Sequence, residues 1–112
     1  MQSRYRLKEN RDFRRVFQRG KSVATAKLVL YCFENRTNTF RIGFSISKKV
    51  GNAVVRNRLK RLLRACFQKH LEHLANLPYD MVVVCRKTAA EANFSELEND
   101  VLKLLRRAKF MV

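Results

Sequence analysis

The sequence predicts a small α+β domain, a two-layer α/β sandwich with the element order α-β-β-β-α-β-α. Three observations carry that prediction. With 112 residues and 46% hydrophobic content, the chain can bury one core and is too apolar for a disordered basic tail. Its apolar pattern switches between a period of two and a period near 3.6. Three Gly and one Pro leave no room for a linker, so residues 1–112 read as a single domain.

The first helix is expected from Arg11 to Arg19. Asn10 is positioned to cap it, Phe13, Val16 and Phe17 form one stripe, and Gly20 suits a left-handed C-terminal position. Lys21 to Ala24 is a short strand. Lys27 to Phe33 is a second, with Leu28, Leu30 and Cys32 on one face and Val29, Tyr31 and Phe33 on the other. Polar Asn35-Arg36-Thr37-Asn38 makes a turn into Phe40–Ser47, where Phe40, Ile42, Phe44 and Ile46 alternate with Arg41, Gly43, Ser45 and Ser47. The two runs read as a hairpin.

A long helix is expected from Ala53 to Leu74, with Leu59, Leu62, Leu63, Cys66, Phe67, His70 and Leu74 as its buried stripe. Tyr79 to Arg86, built on Met81-Val82-Val83-Val84-Cys85, suits a strand covered on both faces. The last helix is expected to start at a capping box, Ser95 to Glu98. Phe94, Leu97, Val101, Leu104, Leu105 and Ala108 lie on its inner side.

Charge narrows the function. Net charge is +16 and the sequence pI is about 10.8, which points first to a nucleic-acid partner. No run approaches the length and apolarity of a membrane span, and the N-terminal residues carry no apolar signal region. Cys32, Cys66 and Cys85 are odd in number, widely spaced and set in apolar surroundings. They read as buried free thiols in a reducing compartment, so a cytoplasmic location is expected. Self-repulsion predicts a monomer when free.

Between Asn35 and Leu71 the chain carries ten Lys or Arg and no acid. Arg56, Lys60 and Arg64, spaced by four, stack on one face of the long helix, with Asn57 and Arg61 beside them. With no acid to pair with them, a salt-bridged solvent face is excluded, and phosphate is the ligand that arginine forks and lysine point charges suit. Gly51 and Asn52 are expected to adopt unusual backbone angles on the way into the helix start, where N–H groups are available to an anion. Ser47 and Asn57 add short hydrogen-bonding groups.

The run Ser47-Lys48-Lys49-Val50-Gly51-Asn52-Ala53-Val54-Val55-Arg56-Asn57-Arg58-Leu59-Lys60-Arg61 resembles the signature of the bacterial ribonuclease P protein subunit. Arg6-Leu7, Phe13, Phe17, Gly20, Tyr31, Asp80 and Arg86-Lys87 extend the resemblance over the whole chain. It implies a fold like the second domain of ribosomal protein S5, with a left-handed βαβ crossover where physical preference alone favours the right-handed one. It implies that the catalyst is a partner RNA and that Mg2+ sits at that RNA's active site, with no cofactor held by the protein. The implied partners are that catalytic RNA subunit and precursor tRNA. Ser47, Lys48, Lys49, Asn52, Arg56, Asn57, Arg58, Lys60, Arg61 and Arg64 would meet the RNA subunit. A cleft between the first helix and the sheet, with Phe13, Phe17, Val29 and Tyr31, would take the 5′ leader of the precursor. From pattern alone Phe13 and Phe17 read as core; the resemblance makes them leader-binding. Rings beside cations are what single-stranded RNA requires.

A protein-based active site is not expected. A nuclease would need clustered carboxylates or a His-based acid–base pair. The acids instead gather near the start of the last helix, and Cys66 with His70 lacks further ligands. The alternative is a ribosomal-type structural RNA-binding module without a role in tRNA processing. A helix-turn-helix DNA reader fits poorly, because strands flank the basic helix.

Overall fold

The computed structural model describes residues 1–111. Helix α1 (Asn10–Arg19) leads into strands β1 (Lys21–Ala24), β2 (Leu28–Glu34) and β3 (Arg41–Ser45). Helices α2 (Ala53–Lys69) and α3 (Leu71–Leu74), strand β4 (Tyr79–Cys85) and helix α4 (Phe94–Arg107) complete the chain. The sheet order is β1-β2-β4-β3, with β4 antiparallel to β2 and parallel to β3. The predicted element order and sandwich are therefore present.

The expected β2–β3 hairpin is not. β4 inserts between the two strands. The reason is burial: Met81, Val82 and Val83 are all fully buried, so β4 needs cover on both faces and a neighbour on both edges. The Asn35 segment is accordingly a wide connection. The Asn35 side chain donates to the Thr39 carbonyl at 2.9 Å and to Asp80 at 2.8 Å, while Thr37 N–H donates to Asn35 Oδ1.

The main core lies between the sheet and α2 and α4. Leu28, Leu30, Ile42, Met81 and Val83 meet Leu59, Leu63, Phe67, Leu97, Val101 and Leu104 there. Helix α1 crosses the opposite face, where Val16, Leu7 and Val82 form a second buried cluster with Phe13, Tyr31, Phe33 and Val84 around it.

Several local expectations are corrected. Glu9, not Asn10, is the N-cap of α1. Gly20 is extended (φ −78°, ψ 162°), not left-handed. It is needed for closeness, because a Cβ there would lie 2.5 Å from the Val16 carbonyl oxygen and 2.7 Å from that of Cys32. The long helix breaks at His70. A straight helix to Leu74 would extend about 33 Å at 1.5 Å per residue, nearly the full length of a molecule measuring 35 × 31 × 25 Å. The turn into α3 instead buries Leu74, and Phe40 N–H donates to the Ala75 carbonyl. The capping box of α4 is Asn93 with Glu96, two residues before the predicted one. Glu98 is left to pair with Lys69 at 2.6 Å.

Candidate nucleic-acid interface

The sheet face under α1 is organised in rows set by strand register. Tyr31, Val82 and Gly43 form one row; Val29, Val84 and Ser45 form the next. Phe13 sits directly on Gly43, where a Cβ would lie 2.3 Å from the ring's Cζ. Phe17 meets Tyr31 edge to face, ring centroids 5.0 Å apart. The row Val29–Val84–Ser45 is half-buried and continues the floor beyond the helix. These residues make a trough with a ring-lined wall and a lightly filled floor. Among the described residues Phe17 is one of two exposed large hydrophobic side chains, at 39%; Phe13 and Tyr31 are half-buried. Phe13 is thus both a packing group on Gly43 and part of the surface.

The predicted leader residues Phe13, Phe17 and Tyr31 come together, with Val29 one row away. Val84 and Ser45 belong to the same floor and were missed. Only the register across β4 reveals them, and a β2–β3 hairpin hides that register.

One wall of the trough is held by a polar cluster. Arg41 on β3 donates to both carboxylate oxygens of fully buried Asp80, Nε at 2.9 Å and Nη2 at 2.6 Å. Its Nη1 lies 3.7 Å from Asp12 on α1. The hydrogen bond to Asp80 raises the Arg41 pKa above its ordinary value, so the guanidinium stays charged. Asp12 also receives Arg15 at 3.2 Å, so this cluster ties α1 to the sheet.

The basic helix divides its cations three ways. Lys60 and Arg64 face the β3 edge, and Arg64 lies over the Phe44 ring, 5.9 Å from its centroid. Arg56 is half-buried and its Nε has no hydrogen-bond partner. Asn57 and Arg61 point outward and are exposed. Arg58, predicted with this set, is turned away: its Nη2 donates to the Ala92 carbonyl at 2.6 Å, tying α2 to the start of α4. Among the described residues no acid pairs with Lys48, Lys49, Arg56, Lys60, Arg61 or Arg64; the acids in ion pairs are Glu9, Asp12, Asp80, Glu96 and Glu98.

The loop before α2 is a turn in which Ser47, Lys48 and Lys49 are exposed and Val50 is buried. Gly51 has no unusual backbone angle. A Cβ there would lie 2.8 Å from Val55, so closeness again explains it. Asn52 is extended and caps α2, accepting from Val55 N–H at 3.0 Å, which takes up one of the free donors at the helix start.

Ridge and trough meet around the β3 edge. A pocket of about 410 Å³ there has Phe13, Leu7 and Gly43 on the α1 side and Lys60 and Arg64 on the α2 side, with Arg6 and Lys8 in its wall. Among the described residues no three His, Cys, Asp or Glu side chains gather where they could hold a metal ion. Cys66 is fully buried, and desolvation pushes its thiol up to about 11. Among the described residues no helix is long and apolar enough to cross a membrane.

Unneutralised cations that run into exposed rings define the class: this is an RNA-binding protein. Comparison with known proteins narrows it. The ribonuclease P family model matches residues 1–109. The ribonuclease P protein component of Clostridium kluyveri is 43% identical over 105 residues, 93% of this chain and 94% of the relative. That of Geobacillus kaustophilus is 43% identical over 109 residues, 96% and 89%. The RNase P protein of Staphylococcus aureus superposes with a TM-score of 0.89 at 38% identity, covering 96% of this chain and 98% of that one. The Thermotoga maritima protein gives 0.82 at 31%, covering 91% and 96%. The chain belongs to the ribonuclease P protein family, and its role is that of a protein subunit of ribonuclease P in tRNA processing.

Proposed function

We propose that this domain grips two RNAs at once. The ridge formed by Lys48, Lys49, Arg56, Lys60, Arg61 and Arg64 holds the catalytic RNA subunit by its phosphates, and the trough of Phe13, Phe17, Tyr31 and Val29 holds the 5′ leader of precursor tRNA. The active site lies in the RNA, with Mg2+ held there and not by the protein. The free protein is a cytoplasmic monomer acting as one RNA-binding domain, its charge opposing self-association and membrane insertion. The observation that supports this reading is the continuity of ridge and trough through the pocket that joins Lys60 and Arg64 to Phe13. A surface that bends around one sheet edge can present a substrate strand to an RNA held on the adjoining side.

The test is cleavage of precursor tRNA by the RNA subunit at low magnesium, with and without protein. Stimulation confined to leader-bearing substrate is expected. Equal binding of precursor and mature tRNA, with no stimulation, would favour a structural module. Cleavage by the protein alone would refute an RNA-held active site.

A further inference from the structure

Helix α1 has a second side that the trough does not use. Its outer face carries Arg11, Arg14, Arg15 and Arg19, all exposed, around a shallow concavity of about 360 Å³ completed by Gln18. The acids of this region are already engaged: Glu9 pairs with Arg11 at 2.7 Å and Asp12 with Arg15 at 3.2 Å. Among the described residues Arg14 and Arg19 have no acidic partner.

This face is costly in the free protein. Arg11 with Arg15, and Arg15 with Arg19, are like charges four apart, relieved only in part by Glu9 and Asp12, and Arg11 lies at the positive end of the helix dipole. A merely solubilising face would balance its signs or use lysine. Here every cation of the helix is an arginine, the side chain whose planar fork matches phosphate.

We propose that the outer arginine face of α1 binds the sugar–phosphate backbone of the precursor's leader upstream of the nucleotides seated in the trough. This rests on the trough reading above. Continuity supports it. Arg14 is one turn back from Phe17 on the same side of the helix, which sets it at the lip of the trough. A strand leaving the rings at Phe17 and Tyr31 passes Arg14 first and then the rest of the outer face.

The experiment uses the assembled RNA–protein enzyme with precursor tRNAs of stepwise longer leaders and with mature tRNA, comparing wild type, R14Q/R19Q and Tyr31→Ala. Wild type should gain affinity as the leader extends past the trough. R14Q/R19Q should bind short-leader precursor normally and lose roughly three- to tenfold on long leaders. Its salt slope should fall by about 1.4, two contacts at about 0.7 each for a single strand. An Arg14→Lys/Arg19→Lys variant should recover most of the slope. Equal losses for short leader, long leader and mature tRNA would reassign the face to the RNA subunit and overturn the proposal, as would no loss at any length. Tyr31→Ala separates the two readings. If it discriminates against short leaders while R14Q/R19Q shows no length effect, only the arginine face fails. If it behaves as wild type, the trough fails and this proposal with it.

Discussion

Gly43→Ala places one methyl group beneath the trough and tests whether Phe13 is held where the proposed leader site requires it. The new Cβ would lie 2.3 Å from Phe13 Cζ and 2.7 Å from Cε1, and 3.2 Å from Leu7 Cβ. Reaching the 3.4 Å of ordinary contact requires the ring to retreat by about 1.1 Å. Phe13 is half-buried and can swing outward, so the stability loss should fall at the lower end of the about 1–3 kcal/mol typical of overpacking. The binding loss should be larger in kind. A ring moved off its position forfeits up to about 1–3 kcal/mol of base stacking, roughly 5- to 150-fold in affinity. Urea unfolding and binding of precursor and mature tRNA by the assembled enzyme give the two readouts. A second variant, Gly43→Ala with Phe13→Leu, should regain stability because the clashing ring atoms are gone, yet stay weak toward leader. Unchanged leader affinity in Gly43→Ala, or recovered affinity in the double variant, would refute a stacking role for Phe13.

Asp80→Asn should destabilise the protein by up to about 3 kcal/mol, since it strands a bidentate arginine partner; Arg41 is about one-third exposed and keeps Asp12 nearby, which moderates the loss. An effect within the about 0.5 kcal/mol of ordinary surface changes would show that the cluster does not hold α1. Arg61→Gln should reduce affinity for the RNA subunit and lower the salt slope by about 0.7–0.9 without changing the melting temperature. Arg58→Gln should instead cost about 1.5–3 kcal/mol of stability through the lost Ala92 hydrogen bond, and a purely RNA-binding defect would contradict that assignment. Burial pushes the Cys32 thiol up to about 12 and those of Cys66 and Cys85 up to about 11, from an ordinary 9.0. The folded chain therefore holds these protons longer than the unfolded one. Their contribution is fully present below about pH 9 and is lost as pH rises toward 11–12, which urea titration across that range checks; slow thiol labelling at neutral pH should accompany it.

What the sequence made legible follows physical rules of short range. Strand alternation placed Tyr31 opposite Leu30 and Cys32, and the fold keeps that division. Helical spacing put Arg56, Lys60 and Arg64 on one side, and Lys60 and Arg64 do share a pocket. Long-range pairing was not legible. Nothing local in Phe40–Ser47 says that its partner is β4 and not β2, so the hairpin was the simpler inference. Glycine was misread for a related reason. Gly20 and Gly51 read as conformational devices, but each is required for closeness, to the Val16 and Cys32 carbonyls in one case and to the Val55 side chain packed back on its own loop in the other. Arg58 shows the same limit, since its acceptor at Ala92 lies 34 residues away.

The strand order that defeated the hairpin is also what makes the surface possible. Because β4 occupies the middle, β3 becomes an edge, with Gly43 on one face and Phe44 on the other. Phe13 of α1 reaches the edge from one side through Gly43. Arg64 of α2 reaches it from the other over Phe44. The N-terminal segment lies along this border, with Arg6 bridging to Ile42 and Leu7 N–H donating to the Ile42 carbonyl at 2.9 Å, and it lines the pocket in which ridge and trough meet. On the proposed reading, the parallel β3–β4 pair and its helical crossover thus do more than close the core. They bring Phe13 of one helix and Lys60 and Arg64 of the other to one pocket, so that on this reading a strand stacked on Phe13 meets a phosphate-binding helix packed against the other side of the sheet.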